Sequence, residues 1–113
     1  MNGVDAVALA LGQDWRAIES AAHSYASLGN RYKPLTKYKI IKDKETGEPI
    51  FHGKLEFPIS VGTKGGAIET NPSYINTFKI LNYPSCELLS QLILSVGLSQ
   101  NMAALRALSI EGI

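Results

Sequence analysis

The sequence contains a single cysteine, Cys86, among its 113 residues. One thiol excludes an internal disulfide and a cysteine-rich zinc site, and it fits a reducing compartment. The two histidines, His23 and His52, are isolated in the sequence and lack the spacing of metal ligands. We therefore predict no metal site in this chain.

The chain also has almost no net charge, because 11 basic residues are balanced by 10 acidic ones and the formal charge is +1. So balanced a surface gives no electrostatic attraction to nucleic acid or to an anionic membrane. There is no basic-then-apolar leader, and no apolar run reaches the length of a membrane span. We expect a cytoplasmic protein that binds neither nucleic acid nor membrane.

Internal repeats, low-complexity tracts and clear linkers are missing as well, which favours a single unit over residues 1–113. Apolar residues make up 45% of the chain and charged residues 19%. This composition is typical of a folded domain and excludes a disordered chain.

The first 28 residues predict two helices joined at a corner, and the rest of the chain is interpreted around them. Residues 4–11 are apolar on nearly every side, so we expect this helix to be buried all round. Gly12 permits the left-handed backbone at its end. Asp14 then opens the second helix, where its carboxylate can accept the amide of Arg16 or Ala17. On spacing alone, Asp14 is a helix cap.

An alternating pattern follows, which predicts a β-hairpin with strands at residues 35–41 and 49–59 and a polar turn at residues 43–48. In the second strand, Phe51, Leu55, Phe57 and Ile59 share one face, which we expect to be buried. The lysines are predicted to lie on a solvated or edge face. They are Lys37, Lys39, Lys42, Lys44 and Lys54.

The glycine-rich loop at residues 62–66, GTKGG, follows the second strand. Glycines there let a backbone approach a ligand closely, and exposed amides can hold anionic oxygens. The pattern is neither of the two common nucleotide-binding motifs, and it is not expected to open directly into a helix. On the residues alone, a tight turn remains the alternative to a binding loop.

The last third predicts helices. Asn71 and Pro72 start one that runs to about Leu81 and buries Ile75, Phe78 and Leu81. Ser85 caps the next, whose apolar stripe is Leu88, Leu89, Leu92, Ile93 and Val96. Gly97 permits a bend or break before a final helix from about Leu98 to Glu111. The predicted fold class is α+β, with a helix pair, a β-hairpin and C-terminal helices.

Three separated blocks together resemble the class II, bacterial 3-hydroxy-3-methylglutaryl-CoA reductases. The first is NGVDAVALALGQDWRAIESAAHSYAS from residue 2, the second is GTKGGA from residue 62, and the third joins VGLSQN from residue 96 to AALRALSIEGI. The resemblance implies that residues 1–113 are an internal piece of the large, substrate-binding domain of such an enzyme.

The resemblance also implies roles for individual residues. Asp14 matches the aspartate that holds a catalytic lysine and glutamate in a charged network. Asn2, Gln100, Ala104 and Leu108 match substrate-binding positions, and the last three recur every four residues on one helix face. The loop residues Gly62, Thr63, Gly65 and Gly66 match a segment near the nicotinamide of NADH or NADPH, although Lys64 stands where the family has an apolar residue.

The implied reaction is the NAD(P)H-dependent interconversion of hydroxymethylglutaryl-CoA with mevalonate and CoA, carried out by a dimer or larger homo-oligomer. The family's lysine, glutamate and histidine fall outside residues 1–113. We therefore expect the 113-residue chain alone to be inactive. The alternative is a non-catalytic, truncated homologue that acts as a structural or interaction module.

Overall fold

The computed structural model describes residues 1–112, which form five helices and one antiparallel pair of strands. The fold class is α+β, as the sequence predicts. In chain order the elements are α1 (Asn2–Ala10), α2 (Trp15–Ala26), β1 (Thr36–Lys42), β2 (Pro49–Leu55), α3 (Ala67–Thr70), α4 (Pro72–Ile80) and α5 (Cys86–Ile110).

The helix ends follow the local signals in the sequence. Gly12 has a φ of 68° and ends α1, while the Gln13 amide donates to the Ala8 carbonyl at 2.9 Å. This six-residue closure satisfies a carbonyl that the helix end leaves free. Asn71 caps α4 by accepting the Ser73 amide, and Ser85 caps α5 by accepting the Leu88 amide. The predicted starts of these two helices are confirmed.

The hairpin is confirmed, with Thr36 opposite Leu55 and Lys42 opposite Pro49. The second strand ends at Leu55 rather than at residue 59. Its partner β1 begins at Thr36, and the pairing fades beyond it with a long bond of 3.4 Å from the Glu56 amide to the Leu35 carbonyl. The expectation that Phe51 is buried is wrong, since the side chain is 57% exposed. Its ring stacks instead on Tyr38, with 5.3 Å between the ring centroids.

The core lies where α1 and α2 pack against α5. Its buried residues come from α1, α2, α4, α5 and the segment after β2: Val4, Ala8, Leu11, Ile18, Ala22, Phe57, Phe78, Leu89 and Ile93. The expectation that the first helix is buried all round is wrong, because Leu9 is 55% exposed. The described residues cover only one side of α1. Ile75, Leu88 and Val96, which the sequence places in apolar stripes, are exposed for the same reason.

Helix α5 is continuous through Gly97, so the predicted bend or break there is wrong. A Cβ atom at Gly97 would lie 2.6 Å from Val4 Cγ2 and 3.2 Å from Leu55 Cδ2. The glycine therefore serves close packing against α1 and β2, and the helix keeps its hydrogen bonds. From the sequence alone, a glycine that makes room for a neighbouring helix cannot be distinguished from a glycine that breaks its own helix.

By length and composition, α5 is also long and apolar enough to cross a membrane, with a mean hydropathy of 1.3 in an 18-residue window. The expectation that no stretch reaches this length is wrong, since α5 does not stop at Gly97 and carries no charge between Glu87 and Arg106. One such helix is weak evidence for a membrane span, because helices in protein cores meet the same criterion. Here α5 buries Leu89 and Ile93 in the core.

We predict that Gly97→Ala destabilises the chain. Alanine in a helix interior normally adds roughly 0.5–1 kcal/mol relative to glycine. Here the added Cβ would meet Val4 Cγ2 at 2.6 Å, and overpacking of this kind costs about 1–3 kcal/mol. Urea unfolding followed by circular dichroism measures the change.

The control for this prediction is Ser99→Ala, at an exposed position two residues further along α5. It changes helix propensity without entering the α1 contact. In the Gly97→Ala, Val4→Ala double variant, the loss of unfolding free energy should be smaller than the sum of the two single losses, because Val4→Ala removes the methyl groups that the new Cβ would meet. A Gly97→Ala chain as stable as the wild type would contradict the close contact.

Candidate functional site

Asp14 lies at the corner between α1 and α2, with its side chain exposed. Its Oδ1 accepts the Ala17 amide at 3.1 Å, which confirms the cap predicted from the sequence. Within residues 1–112, Oδ2 makes no hydrogen bond. The cap thus uses one carboxylate oxygen and leaves the other, with the negative charge, available to a cation.

Gln13, the residue before Asp14, is buried, with 9% of its surface exposed. Its Nε2 donates to the Leu11 carbonyl at 3.0 Å and to the Gly62 carbonyl at 2.9 Å. Its Oε1 accepts the Gly62 amide at 2.9 Å. The sequence alone does not point to this residue, because its partner is 49 positions away and a single glutamine forms no pattern.

The glycine loop at residues 62–66 is mostly exposed, and Gly65 and Gly66 have φ values of 80° and 56°. Residues 56–61 separate the loop from β2, so it does not follow the strand directly. The expectation that it does not open into a helix is also wrong, since Gly66 immediately precedes α3. Two consecutive glycines allow the positive φ angles that lead the chain into this short helix.

The loop has room for a ligand on its open side. A Cβ atom built at Gly62, Gly65 or Gly66 would meet nothing within 4 Å. The Gly62 amide is already bound by Gln13. Among the predicted cofactor residues, Gly62 is therefore an anchor of the loop, and the amides of Thr63, Gly65 and Gly66 are the candidates for contact with a cofactor.

Asn2 and Gln100 lie where α1 crosses α5. The Gly3 amide, next to Asn2, donates to Gln100 Oε1. Ala104 is half-buried one turn further along α5, and Leu108 is 60% exposed one turn beyond. The three α5 residues therefore share a helix face, as the spacing predicts.

The predicted residues form two groups at opposite ends of α1. One holds Asn2 and Gln100, and the other holds Asp14 and the glycine loop. The helix has nine residues, so its ends are about 13 Å apart. Helix α1 is the element that connects the groups.

A chain of polar side chains that the sequence analysis did not recognise links α1 to α2. The carboxyl groups of Asp5 and Glu19 share a hydrogen bond. Glu19 Oε1 lies 3.4 Å from His23 Nε2, and His23 Nδ1 lies 2.6 Å from the Tyr32 hydroxyl. The i, i+4 spacing of Glu19 and His23 was the only local signal for this chain.

Burial, reinforced by the neighbouring Glu19 carboxyl, raises the pKa of Asp5 to about 6. The hydrogen bond from Asp5 lowers the pKa of Glu19. Below about pH 6, Asp5 is therefore the protonated partner and donates the hydrogen bond to Glu19. Asp5 Oδ1 is buried and makes no hydrogen bond within residues 1–112, so ionisation of this group is costly.

Comparison with known proteins identifies the family. The family model described as hydroxymethylglutaryl-coenzyme A reductase matches residues 1–113, the whole chain. The chain belongs to the hydroxymethylglutaryl-coenzyme A reductase family. This confirms the resemblance inferred from the three sequence blocks.

Individual members of the reductase family are similar over the same range. The 3-hydroxy-3-methylglutaryl-coenzyme A reductase of Archaeoglobus fulgidus is 47% identical over 113 residues, and a probable reductase of Borreliella burgdorferi is 42% identical. A solved reductase structure from Streptococcus pneumoniae matches 99% of the chain with a TM-score of 0.84 and 43% identity. The fold described above is therefore a part of the reductase fold.

The chain spans about a quarter of the length of these relatives. It covers 24% of the Archaeoglobus reductase, 25% of the Borreliella protein and 26% of the Streptococcus chain.

We predict that the free energy of unfolding falls as the pH rises through the pKa of Asp5. Folding raises the pKa of Asp5 from 3.8 to about 6, so the folded state binds more protons in that interval and loses stability as the pH rises through it. The lowered pKa of Glu19 acts in the opposite direction, below 4.5. Urea unfolding at pH 4.5 and pH 7.5 measures the difference.

The test variant is Asp5→Asn, whose amide can donate to Glu19 at every pH. At pH 7.5 we expect it to exceed the wild type in unfolding free energy by about 1 kcal/mol, a value reduced for the partial exposure of Asp5. Glu48→Gln, at an exposed carboxyl of the hairpin turn, is the matched control. Parallel pH profiles for the wild type and Asp5→Asn would refute the shared proton.

Proposed function

We propose that residues 1–113 form part of the large, substrate-binding domain of a hydroxymethylglutaryl-CoA reductase. The reaction is the NAD(P)H-dependent interconversion of hydroxymethylglutaryl-CoA with mevalonate and CoA. The observation that carries this proposal is the family match over the entire chain. It is supported by the arrangement of the Asp14 corner, the glycine loop and Gln100 around a single helix, α1.

Asp14 is the proposed catalytic residue of the chain. Thioester reduction develops negative charge on the carbonyl oxygen, and a buried cation with a proton donor stabilises that charge. In the family, an aspartate holds the lysine and the glutamate that do so. The Asp14 carboxylate suits this role, since its Oδ1 is fixed by the Ala17 amide and the residue is exposed.

Asn2, Gln100, Ala104 and Leu108 are proposed to bind the hydroxymethylglutaryl portion of the substrate. The Gln100 Nε2 group is left to donate to a substrate oxygen, because Oε1 is bound to the Gly3 amide. Ala104 is small and leaves space above the α5 backbone. Leu108 supplies an apolar wall, and its exposure here leaves it open to a ligand or to neighbouring residues.

Thr63, Gly65 and Gly66 are proposed to contact the nicotinamide cofactor, NADH or NADPH, with Gly62 as the anchor. Each NAD(P)H that binds would supply one hydride, and two of them in succession would take the thioester to the alcohol. The open space beside Gly65 and Gly66 supports close approach of the loop backbone to a planar ring.

The remaining partners belong to the proposed complete enzyme. Its other segments supply the lysine, glutamate and histidine, and a second subunit completes a homodimer or larger oligomer in the cytoplasm. No nucleic-acid role is proposed for the hairpin lysines, because Lys54 pairs with Glu56 at 2.8 Å and the net charge is +1. Nor is a membrane role proposed for α5, which contributes to the core.

We predict that Asp14→Asn abolishes turnover in the complete reductase without unfolding it. Asparagine caps a helix as well as aspartate does, but it lacks the charge that holds the lysine. We expect kcat to fall at least about a hundredfold, the scale for loss of one preorganised electrostatic group. NADPH or NADH oxidation with hydroxymethylglutaryl-CoA measures the rate.

Asp14→Ala is the comparison variant, because it should lose the same activity and also about 1 kcal/mol of stability with the cap. An Asp14→Asn enzyme with wild-type kcat would reduce Asp14 to a helix cap.

We also predict that the 113-residue chain alone does not oxidise NAD(P)H in the presence of hydroxymethylglutaryl-CoA. Sequencing the coding DNA on either side tests the proposal against the truncated homologue. We expect an in-frame lysine codon three positions before Met1 and a Gly-His-Met shortly after Ile113. A start signal at Met1 with a stop codon after Ile113 would favour the truncated, non-catalytic protein, and turnover by the short chain would contradict the prediction.

A further inference from the structure

Among residues 1–112, Gln13 is the one buried polar residue, and its side-chain hydrogen bonds run to backbone groups. The Gln13 side chain donates to the Gly62 carbonyl and accepts the Gly62 amide, the same pair of bonds that a neighbouring β-strand would make. Such a two-point contact fixes orientation as well as distance, because displacement of either partner breaks both bonds. Its third bond satisfies the Leu11 carbonyl at the end of α1.

The backbone of Gln13 is fixed as firmly as its side chain. Its amide donates to the Ala8 carbonyl at 2.9 Å, and its carbonyl accepts the Trp15 amide at 3.0 Å. Asp14 lies between these two bonded peptide units. One residue therefore holds the corner that presents Asp14 and also the first residue of the glycine loop.

We propose that Gln13 is a positioning residue that sets the glycine loop, and with it the nicotinamide cofactor, relative to the Asp14 carboxylate. This inference rests on the proposed function, since it assumes that the loop at residues 62–66 contacts the cofactor. Gln13 itself need not touch either ligand, because it is enclosed in the core. It acts through Gly62 on one side and through its own backbone on the other.

The chemistry of the site requires a glutamine side chain. A glutamate side chain has the same shape and can still accept the Gly62 amide. Its carboxylate has no hydrogen to donate and would repel the carbonyl oxygens of Leu11 and Gly62. Alanine leaves all three backbone groups, the Gly62 amide and the two carbonyls, without their partner.

The kinetic test compares Gln13→Ala and Gln13→Glu with the wild type in the complete reductase. We expect the KM for NAD(P)H to rise about tenfold, the effect of about 1.4 kcal/mol in cofactor binding. We expect the KM for hydroxymethylglutaryl-CoA to change less than twofold. A merely structural defect would lower the amount of active enzyme, and so kcat, with both KM values unchanged.

The matched control is Tyr38→Phe. It removes the bond from the Tyr38 hydroxyl to Asn101 Oδ1, 2.7 Å long and also part-buried, which joins the hairpin to α5 without touching the corner or the loop. We expect both of its KM values to match the wild type. A cofactor KM that rises equally in Tyr38→Phe and Gln13→Ala would overturn the proposal.

Hydrogen exchange by mass spectrometry provides a readout that does not depend on activity. In the same proteins, peptides covering residues 60–66 should exchange at least about tenfold faster in Gln13→Ala, because the Gly62 amide loses its acceptor. If Gln13→Ala fails to fold, Gln13→Met, which keeps most of the side-chain volume but has no amide to accept from Gly62, carries both measurements.

The outcomes separate the two proposals. A wild-type enzyme without turnover overturns the proposed function, and the exchange result then decides alone whether Gln13 fixes the loop. An active wild type with unchanged cofactor KM in the Gln13 variants overturns the positioning role, even if exchange is faster. Unchanged exchange at residues 60–66 overturns it as well.

Discussion

The close crossing of α1 over α5 is the contact on which the rest of the structure depends. It is possible only because Gly97 leaves space for Val4 and Gly3 leaves space for Gln100. These two small positions bring the helix backbones together and bury Val4, Ala8 and Ile93. The crossing also sets which groups lie at each end of α1. A side chain at either glycine would move both proposed halves of the site.

Gln13 and Asp5 both place polar atoms in this apolar core, but they differ in how those atoms are hydrogen-bonded. The Gln13 amide finds partners for both ends of its side chain, so its burial costs little and gives the core a specific arrangement. Asp5 instead has one buried oxygen with no hydrogen bond to residues 1–112, and below about pH 6 its proton bonds to Glu19. The first arrangement fixes the corner at every pH. The second holds α1 against α2 best under mildly acidic conditions.

Helices α1 and α5 also expose large apolar side chains. Leu9 on α1 and Leu108 on α5 are large apolar residues that the described residues do not cover. The reductases that match this chain are about four times as long. A helix that is apolar on several faces is buried only where other residues cover each face, so the pattern of residues 4–11 predicts burial that residues 1–112 do not supply.

The sequence by itself determined the family, the hairpin, the end of α1 at Gly12 and the starts of α2, α4 and α5. Asp14, Asn71 and Ser85 cap helices through partners two or three residues away, so the local sequence contains all the necessary information. Only the tertiary structure decided that Gly97 packs rather than bends, that Gln13 binds Gly62, and that Asp5 faces Glu19. Each of these contacts joins separate elements. Whether a glycine is a break or a contact, and whether an amide is buried or solvated, depends on which distant residue the fold brings to it.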